Sequence, residues 1–267
     1  MPTHLTVKGL VIRKTDYGES SVLFDLLTDN GICPVSARGI RKAGSKYAAV
    51  TQVFSYGEFC LRQSGGKLYL DSAAPINLFY GLRADLEALA LASYFSELIR
   101  KTATDQPQPQ ILRLFLHCLH YLSAAKKTRA AAQIKAIFEL RLIAEHGMAP
   151  NLICCAECLT YQPPQPVMRL EQADFVCASC IEEISSHDLP VTPSALQAIR
   201  HIVFSEFDKL FAFRITGESL RQFSSYAERY IKHCLDMPLP ALKYYHDLTD
   251  STLLDDLSSA KGATNPA

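Results

Sequence analysis

Two cysteine doublets constrain this chain more than any other feature. Cys155-Ala-Glu-Cys158 and Cys177-Ala-Ser-Cys180 stand eighteen residues apart, a spacing used by zinc ribbons and related knuckles. Each doublet offers two thiolates from one tight turn, and two facing turns supply the four sulfurs of a tetrahedral site with metal–sulfur distances of about 2.3 Å. The segment around them, Asn151 to Ser186, lacks helical periodicity and is rich in proline and short turns. Metal binding would close a loop with little core of its own, so metal affinity there is also folding free energy. A redox pair of the thioredoxin kind needs a single C-x-x-C in a βαβ setting, which this segment does not have. Four thiolates also fill the coordination sphere, whereas catalytic zinc keeps a position open, so the expected ion is a structural Zn2+ held by Cys155, Cys158, Cys177 and Cys180. Iron accepts the same donor set, and Cys154 competes with Cys155 for the first position.

The other bulk properties suit a protein kept inside the cell. Nine cysteines without an export leader point to metal or buried thiols rather than disulfides. The longest nearly apolar stretch, Ala88 to Phe95, falls far short of the roughly 20 residues that span a bilayer, so no membrane segment is expected. Formal charge is zero, yet residues 1–80 carry nine Lys and Arg against six Asp and Glu, leaving eighteen against twenty-one in the remainder. The amino-terminal part is the basic end.

Periodicity divides the 267 residues. Leu5–Arg13, Val22–Thr28, Ile32–Ala37, Val53–Arg62 and Leu68–Ala73 read as five short strands. Asp29-Asn30-Gly31 and Ser64-Gly65-Gly66 supply glycine for hairpin turns. Pro34 marks an edge. Five strands in so short a stretch predict a small barrel, OB-like first and SH3-like second. After Pro75 the period becomes helical, predicting helices over 83–101, 112–123 and 130–146, the last stopped by Gly147 and Pro150. Helix resumes at Thr192-Pro193, a cap followed by a proline suited to the first turn, and a last helix covers 219–235. The expected architecture is therefore α+β and multidomain: a barrel over 1–80, a helical domain over 81–150 and 187–248, a cysteine knuckle at 151–186, and a frayed acidic tail at 249–267.

Candidate nucleic-acid contacts lie in the barrel. Between Asn30 and Gly57 there is no acidic residue, while Arg38, Arg41, Lys42 and Lys46 crowd into nine positions beside Gly39 and Gly44. A flexible loop of unopposed cations suits phosphates, with an affinity that falls steeply in salt. Tyr47, Phe54, Tyr56 and Phe59 lie nearby as candidate stacking faces. The competing readings are plain: such cations are often a solvated face, and alternating aromatics are often core. No catalytic constellation emerges. His117 and His120 have no carboxylate pair nearby, His146 reads as a favourable charge at a helix C-terminus, and Gly65-Gly66 is a turn rather than a phosphate loop.

Taken in order, these segments resemble the RecO family of bacterial recombination mediators over about residues 5–245. The carriers are Gly9-Leu10-Val11-Ile12 through Tyr17-Gly18-Glu19-Ser20-Ser21, the basic Ser36-Ala37-Arg38-Gly39-Ile40-Arg41-Lys42, and Phe138-Glu139-Leu140-Arg141-Leu142 followed by Gly147, Pro150 and Cys155-x-x-Cys158. The resemblance implies an OB-fold, a helical domain and a zinc knuckle. It also implies a cytoplasmic, non-enzymatic protein that binds single- and double-stranded DNA, anneals complementary strands coated with SSB, and with RecR helps load RecA. The acidic, apolar carboxyl tail of SSB is expected on the helical domain. Ala136-Ile137 stand where some members carry an arginine for that tail, which leaves Lys135 and Arg141 as candidates by proximity, and Leu159 stands where a glycine is common. The alternative is a zinc-stabilised protein-docking module without DNA contact, and a zinc hydrolase or deaminase would need a ligand and general base that the sequence lacks.

Overall fold

The computed structural model describes residues 3–104 and 106–250. Five strands come first: β1 (Thr3–Tyr17), β2 (Ser21–Thr28), β3 (Gly31–Ala37), β4 (Tyr56–Ser64) and β5 (Lys67–Asn77). Their ladders run β1-β2-β3-β5-β4 and close on themselves through a β1–β4 pairing. Alternation explains the arrangement: Val22, Phe24 and Leu26 of β2, Val35 and Ala37 of β3, and Phe59 and Leu61 of β4 fill one core. Phe24 and Phe59 meet there with ring centroids 5.8 Å apart. The parallel β3–β5 seam is short, with Val35 opposite Leu68 and Ser36 opposite Tyr69. It begins directly after Pro34, which opposes Asp25 on β2. The proline expected at an edge therefore sits at the weakest seam, where a missing N–H does least harm.

Gly9 and Gly57 face each other across β1 and β4. A Cβ on Gly9 would lie 2.6 Å from the Leu26 side chain, and one on Gly57 2.7 Å from the Ala74 carbonyl oxygen, so this crowded crossing excludes side chains. Strand β4 starts at Tyr56 rather than at Val53, because the backbone turns through Phe54 at φ 66°.

A 3-10 turn (Tyr80–Ala84) leads to α1 (Leu86–Thr102), capped by Asp85, whose carboxylate accepts from the Ala88 N–H at 3.0 Å. Helix α2 (Pro109–Ser123) follows. Phe115 of α2 meets Phe95 of α1 and Phe54 edge-on, and the Ser96 hydroxyl donates to the Ile12 carbonyl at 2.6 Å. These helices thus share one compact unit with the sheet; that unit runs to Ala125 and resumes at Leu239. Within it residues 240–250 are helical, and Glu97 accepts from the Ala241 N–H at 2.9 Å. Most of the expected tail lies outside the described residues.

The second unit spans Lys126–Pro238. It contains α3 (Ala131–Glu145), three short strands β6 (Pro166–Arg169), β7 (Asp174–Cys177) and β8 (Asp188–Pro190) in the order β7-β6-β8, then α4 (Pro193–Phe204) and α5 (Gly217–Leu235). The Thr192 hydroxyl caps α4 by accepting from the Ala195 N–H, as the Thr-Pro signal predicts. The three strands had no periodicity to betray them, since each is only three or four residues long. Helix α3 is buried almost all round, Gln133, Lys135 and Glu139 included, so it has no polar stripe. At its end His146 is half-buried and its pKa is lowered by burial, with Glu145 pulling weakly the other way. Burial therefore disfavours the charge expected at the helix terminus.

Candidate nucleic-acid interface and metal centre

The basic segment joins β3 to β4 and is pinned at both ends by apolar anchors, Ile40 and Val50, in the sheet core. Between them the backbone winds through successive turns, with Lys42 N–H donating to Gly39, Ser45 to Lys42 and Ala48 to Ser45. It is a wound loop, not the open one suggested by its glycines. Thr51, fully buried, ties it down by donating to the Tyr47 carbonyl at 2.9 Å.

This anchoring turns Arg38, Arg41, Lys42 and Lys46 outward, all four exposed. Arg41 lies 3.5 Å from Asp16 and donates to the Gly18 carbonyl at 3.2 Å. Among the described residues no carboxylate lies within 4.0 Å of Arg38, Lys42 or Lys46. Arg38 instead lies 5.6 Å from the Tyr69 ring centre and Lys46 4.9 Å from that of Tyr47. Lys14 nearby has a lowered pKa, first from burial, with Asp16 opposing and Arg41 adding. The aromatics suggested by the sequence divide differently: Phe54 and Phe59 are core, and Tyr47 packs against it. Tyr17, at the end of β1, is exposed instead, and Tyr69 on β5 is half-buried. Tyr17 stands immediately before the Gly18 turn, which in retrospect is the signal that it leaves the core.

In the second unit the two doublets converge. The sulfurs of Cys155, Cys158, Cys177 and Cys180 all lie within 4.8 Å of one another, with Cys158 and Cys177 at 3.5 Å. A tetrahedron with arms of about 2.3 Å has sulfur–sulfur edges of about 3.8 Å, so the four sulfurs could hold a metal ion with little adjustment. Cys154 is not part of the group. The Cys177 N–H donates to Cys155 Sγ at 3.3 Å, and the Ala156 N–H to the Phe175 carbonyl at 3.0 Å, which ties the first doublet to β7. Contact with Thr160 lowers the Cys158 thiol to about 6, while burial and neighbouring sulfurs push Cys177 to about 12. Four thiolates cannot share this volume without repulsion, and a divalent cation among them removes the conflict.

Sequence reasoning missed what holds the knuckle in place. Arg200 of α4, 4% exposed, donates through Nε to the Leu152 carbonyl at 2.7 Å and through Nη2 to that of Ile153 at 3.3 Å. Its guanidinium lies over Tyr161 at 4.3 Å and Phe175 at 5.0 Å. Arg169 forms a two-pronged pair with Asp174, both distances 2.7 Å, across the β6–β7 turn. Nothing in the sequence separates such an arginine from a surface cation.

The two candidates for an acidic tail sit on α3. Lys135, 2% exposed, lies 2.8 Å from both Glu139 and Glu228. Burial by itself pushes its pKa down, and the two carboxylates outweigh that, leaving it raised. Arg141 pairs with Glu145 at 2.8 Å and donates to the Ile202 and Ser205 carbonyls. A ligand carboxylate reaching either must displace an internal partner.

Among the described residues no helix is long and apolar enough to cross a membrane. The family described as Recombination protein O N terminal matches residues 1–79, and Recombination protein O C terminal matches residues 83–243. A protein named DNA repair protein RecO from Acetivibrio thermocellus is 29% identical over 247 residues, covering 92% of this chain and 97% of its own. Proteins of the same name from Exiguobacterium sibiricum and Bacillus subtilis are 30% and 26% identical, covering 84% and 89% of this chain and 90% and 92% of theirs. With both halves of the chain matched, in order and at almost full length, the chain belongs to the recombination protein O family.

Proposed function

We propose that the chain is a cytoplasmic, non-enzymatic mediator of DNA repair and recombination that binds single- and double-stranded DNA through an OB-like amino-terminal barrel. Arg38, Arg41, Lys42 and Lys46 hold phosphates, reducing the repulsion between two strands while their bases pair. On this reading the protein anneals complementary SSB-coated strands and acts with RecR in loading RecA. The names of its relatives support the repair role. The observation that carries the reading is the loop itself: four exposed cations on a wound, anchored backbone, three of them without a carboxylate among the described residues.

In this reading residues 1–80 bind the DNA, 81–150 with 187–248 supply the helices, those up to Ala125 packed with the sheet, and 151–186 form the knuckle. Zn2+ on Cys155, Cys158, Cys177 and Cys180 supplies folding energy rather than chemistry, since four thiolates leave no position for a reacting water. The acidic SSB tail reaches Arg141, the less buried of the two α3 candidates.

Fluorescence anisotropy with labelled oligonucleotides across a salt series tests the reading. Arg38→Ala, Arg41→Ala and Lys42→Ala combined should weaken binding at low salt and flatten the log–log salt slope by roughly 0.7–0.9 for each phosphate no longer neutralised. Normal affinity and slope in the triple variant would remove the loop from the interface. Absence of any DNA binding by the unmodified chain would favour a docking module.

A further inference from the structure

The outer face of the sheet carries a hollow that charge alone does not explain. It has a volume of about 560 Å3 and is lined chiefly by Tyr17, Leu23, Arg38, Lys67, Leu68 and Tyr69. The ladders show why these side chains meet. Thr15 opposes Leu23, Leu23 opposes Ser36, Ser36 opposes Tyr69, and Tyr69 opposes Arg62, so one outward row crosses all five strands. At Leu23 and at Tyr17, which opposes Ser21 beside this row, the usual polar alternation fails. Tyr17 is 61% exposed and Leu23 41%, an aromatic and an aliphatic side chain left in water where a sheet normally turns polar groups outward.

Electrostatics select one class of occupant. No acidic side chain lines the hollow, and Arg38 and Lys67 stand in its wall. Two guanidiniums lie near Tyr69, Arg38 at 5.6 Å and Arg62 at 5.2 Å from its ring centre. Arg62 is partly neutralised by Asp71 at 3.4 Å, whereas Arg38 has no carboxylate within 4.0 Å among the described residues. A phosphate by itself makes no use of the aromatic and aliphatic wall, and an apolar peptide makes no use of the cations. A polynucleotide with unpaired bases uses both, because flat π-faces and phosphates alternate along it. A duplex cannot, since its bases are already stacked.

We propose that this hollow is a nucleobase subsite, in which unpaired bases of a single strand stack on Tyr17 and Tyr69 over Leu23, with the flanking phosphates on Arg38 and Lys67. The proposal rests on the DNA-binding reading above and adds single-strand preference to it. The loop cations serve either form of DNA; the hollow serves only the open strand.

The test uses the full chain and three fluorescein-labelled probes in anisotropy titrations: oligothymidylate, an abasic strand of equal length, and a duplex. Combined Tyr17→Ala and Tyr69→Ala should lower affinity for oligothymidylate about tenfold or more and leave the abasic strand and duplex unchanged. Tyr17→Phe with Tyr69→Phe should retain the original affinity, since the ring face is kept. Equal losses on all three probes, or a loss on none, would overturn the subsite. So would an unmodified chain that binds abasic strand and oligothymidylate equally well, although the DNA-binding reading would survive that result. Only failure of the unmodified chain to bind any probe at low salt removes both.

Discussion

The amino-terminal sheet and the cysteine knuckle reach stability by different physical routes. Strands β1 to β5 are seven to fifteen residues long and close around a shared apolar core. Strands β6 to β8 have three or four residues each, too few to hold a sheet by pairing alone. To its own small apolar core of Val167, Met168, Phe175 and Val176 the knuckle adds converging sulfurs, the Arg169–Asp174 pair and Arg200 on two carbonyls. In the amino-terminal unit the loop from Arg38 to Lys46 keeps its charged side chains at the surface. In the second unit the charges are used inside, and α3 carries a buried lysine between two glutamates.

The largest test of this contrast is removal of metal. Chelation, or Cys158→Ser with Cys180→Ser, should abolish amide-exchange protection across residues 155–180 while β1–β5 keep theirs; structural zinc sites carry on the order of 10 kcal/mol of folding energy. Unchanged protection after metal analysis shows complete removal would mean that the arginine and ion-pair contacts suffice. Next comes the sheet core. Phe59→Ala removes a fully buried ring that packs at a tilt against Phe24 and should cost about 3–5 kcal/mol by denaturant unfolding, with knuckle protection unaffected at low denaturant.

Lys135→Met should cost about 3 kcal/mol, because it strands the fully buried Glu139, and Glu139→Met in the same chain should recover most of the loss. Failure of the second change to rescue would show that the lysine acts by packing. Since the Lys135 pKa is raised above its ordinary 10.5, its contribution is complete below pH 10.5 and is lost as pH climbs through the folded value. A flat stability profile in that alkaline range would contradict the pairing. The smallest effect is expected at Leu159, which holds φ 62° with its side chain 71% exposed. Leu159→Gly relieves left-handed strain and gives up no packing, so a gain of roughly 0.5 kcal/mol in knuckle stability should follow.

Local signals were legible wherever chemistry and period coincide within a few residues. The five amino-terminal strands, the Thr192-Pro193 helix start and the four convergent cysteines were all readable in this way. The acid-free run from Asn30 to Gly57 was equally visible as an unopposed positive segment. What stayed hidden depended on partners distant in sequence. Lys135 looked like an accessible cation until Glu228 and the burial of α3 enclosed it, and Arg200 looked ordinary until the Leu152 carbonyl came to 2.7 Å from it.

By itself, then, the chain's order of residues determined which long segments become strand or helix and where the cysteine turns fall, since backbone preference, side-chain alternation and thiolate spacing act over short range. Tertiary structure alone decided which charges are spent inside and which face water, and it alone aligned Tyr17, Leu23 and Tyr69 on one outer face. Burial and ladder register are properties of pairs of elements, and no single segment carries them.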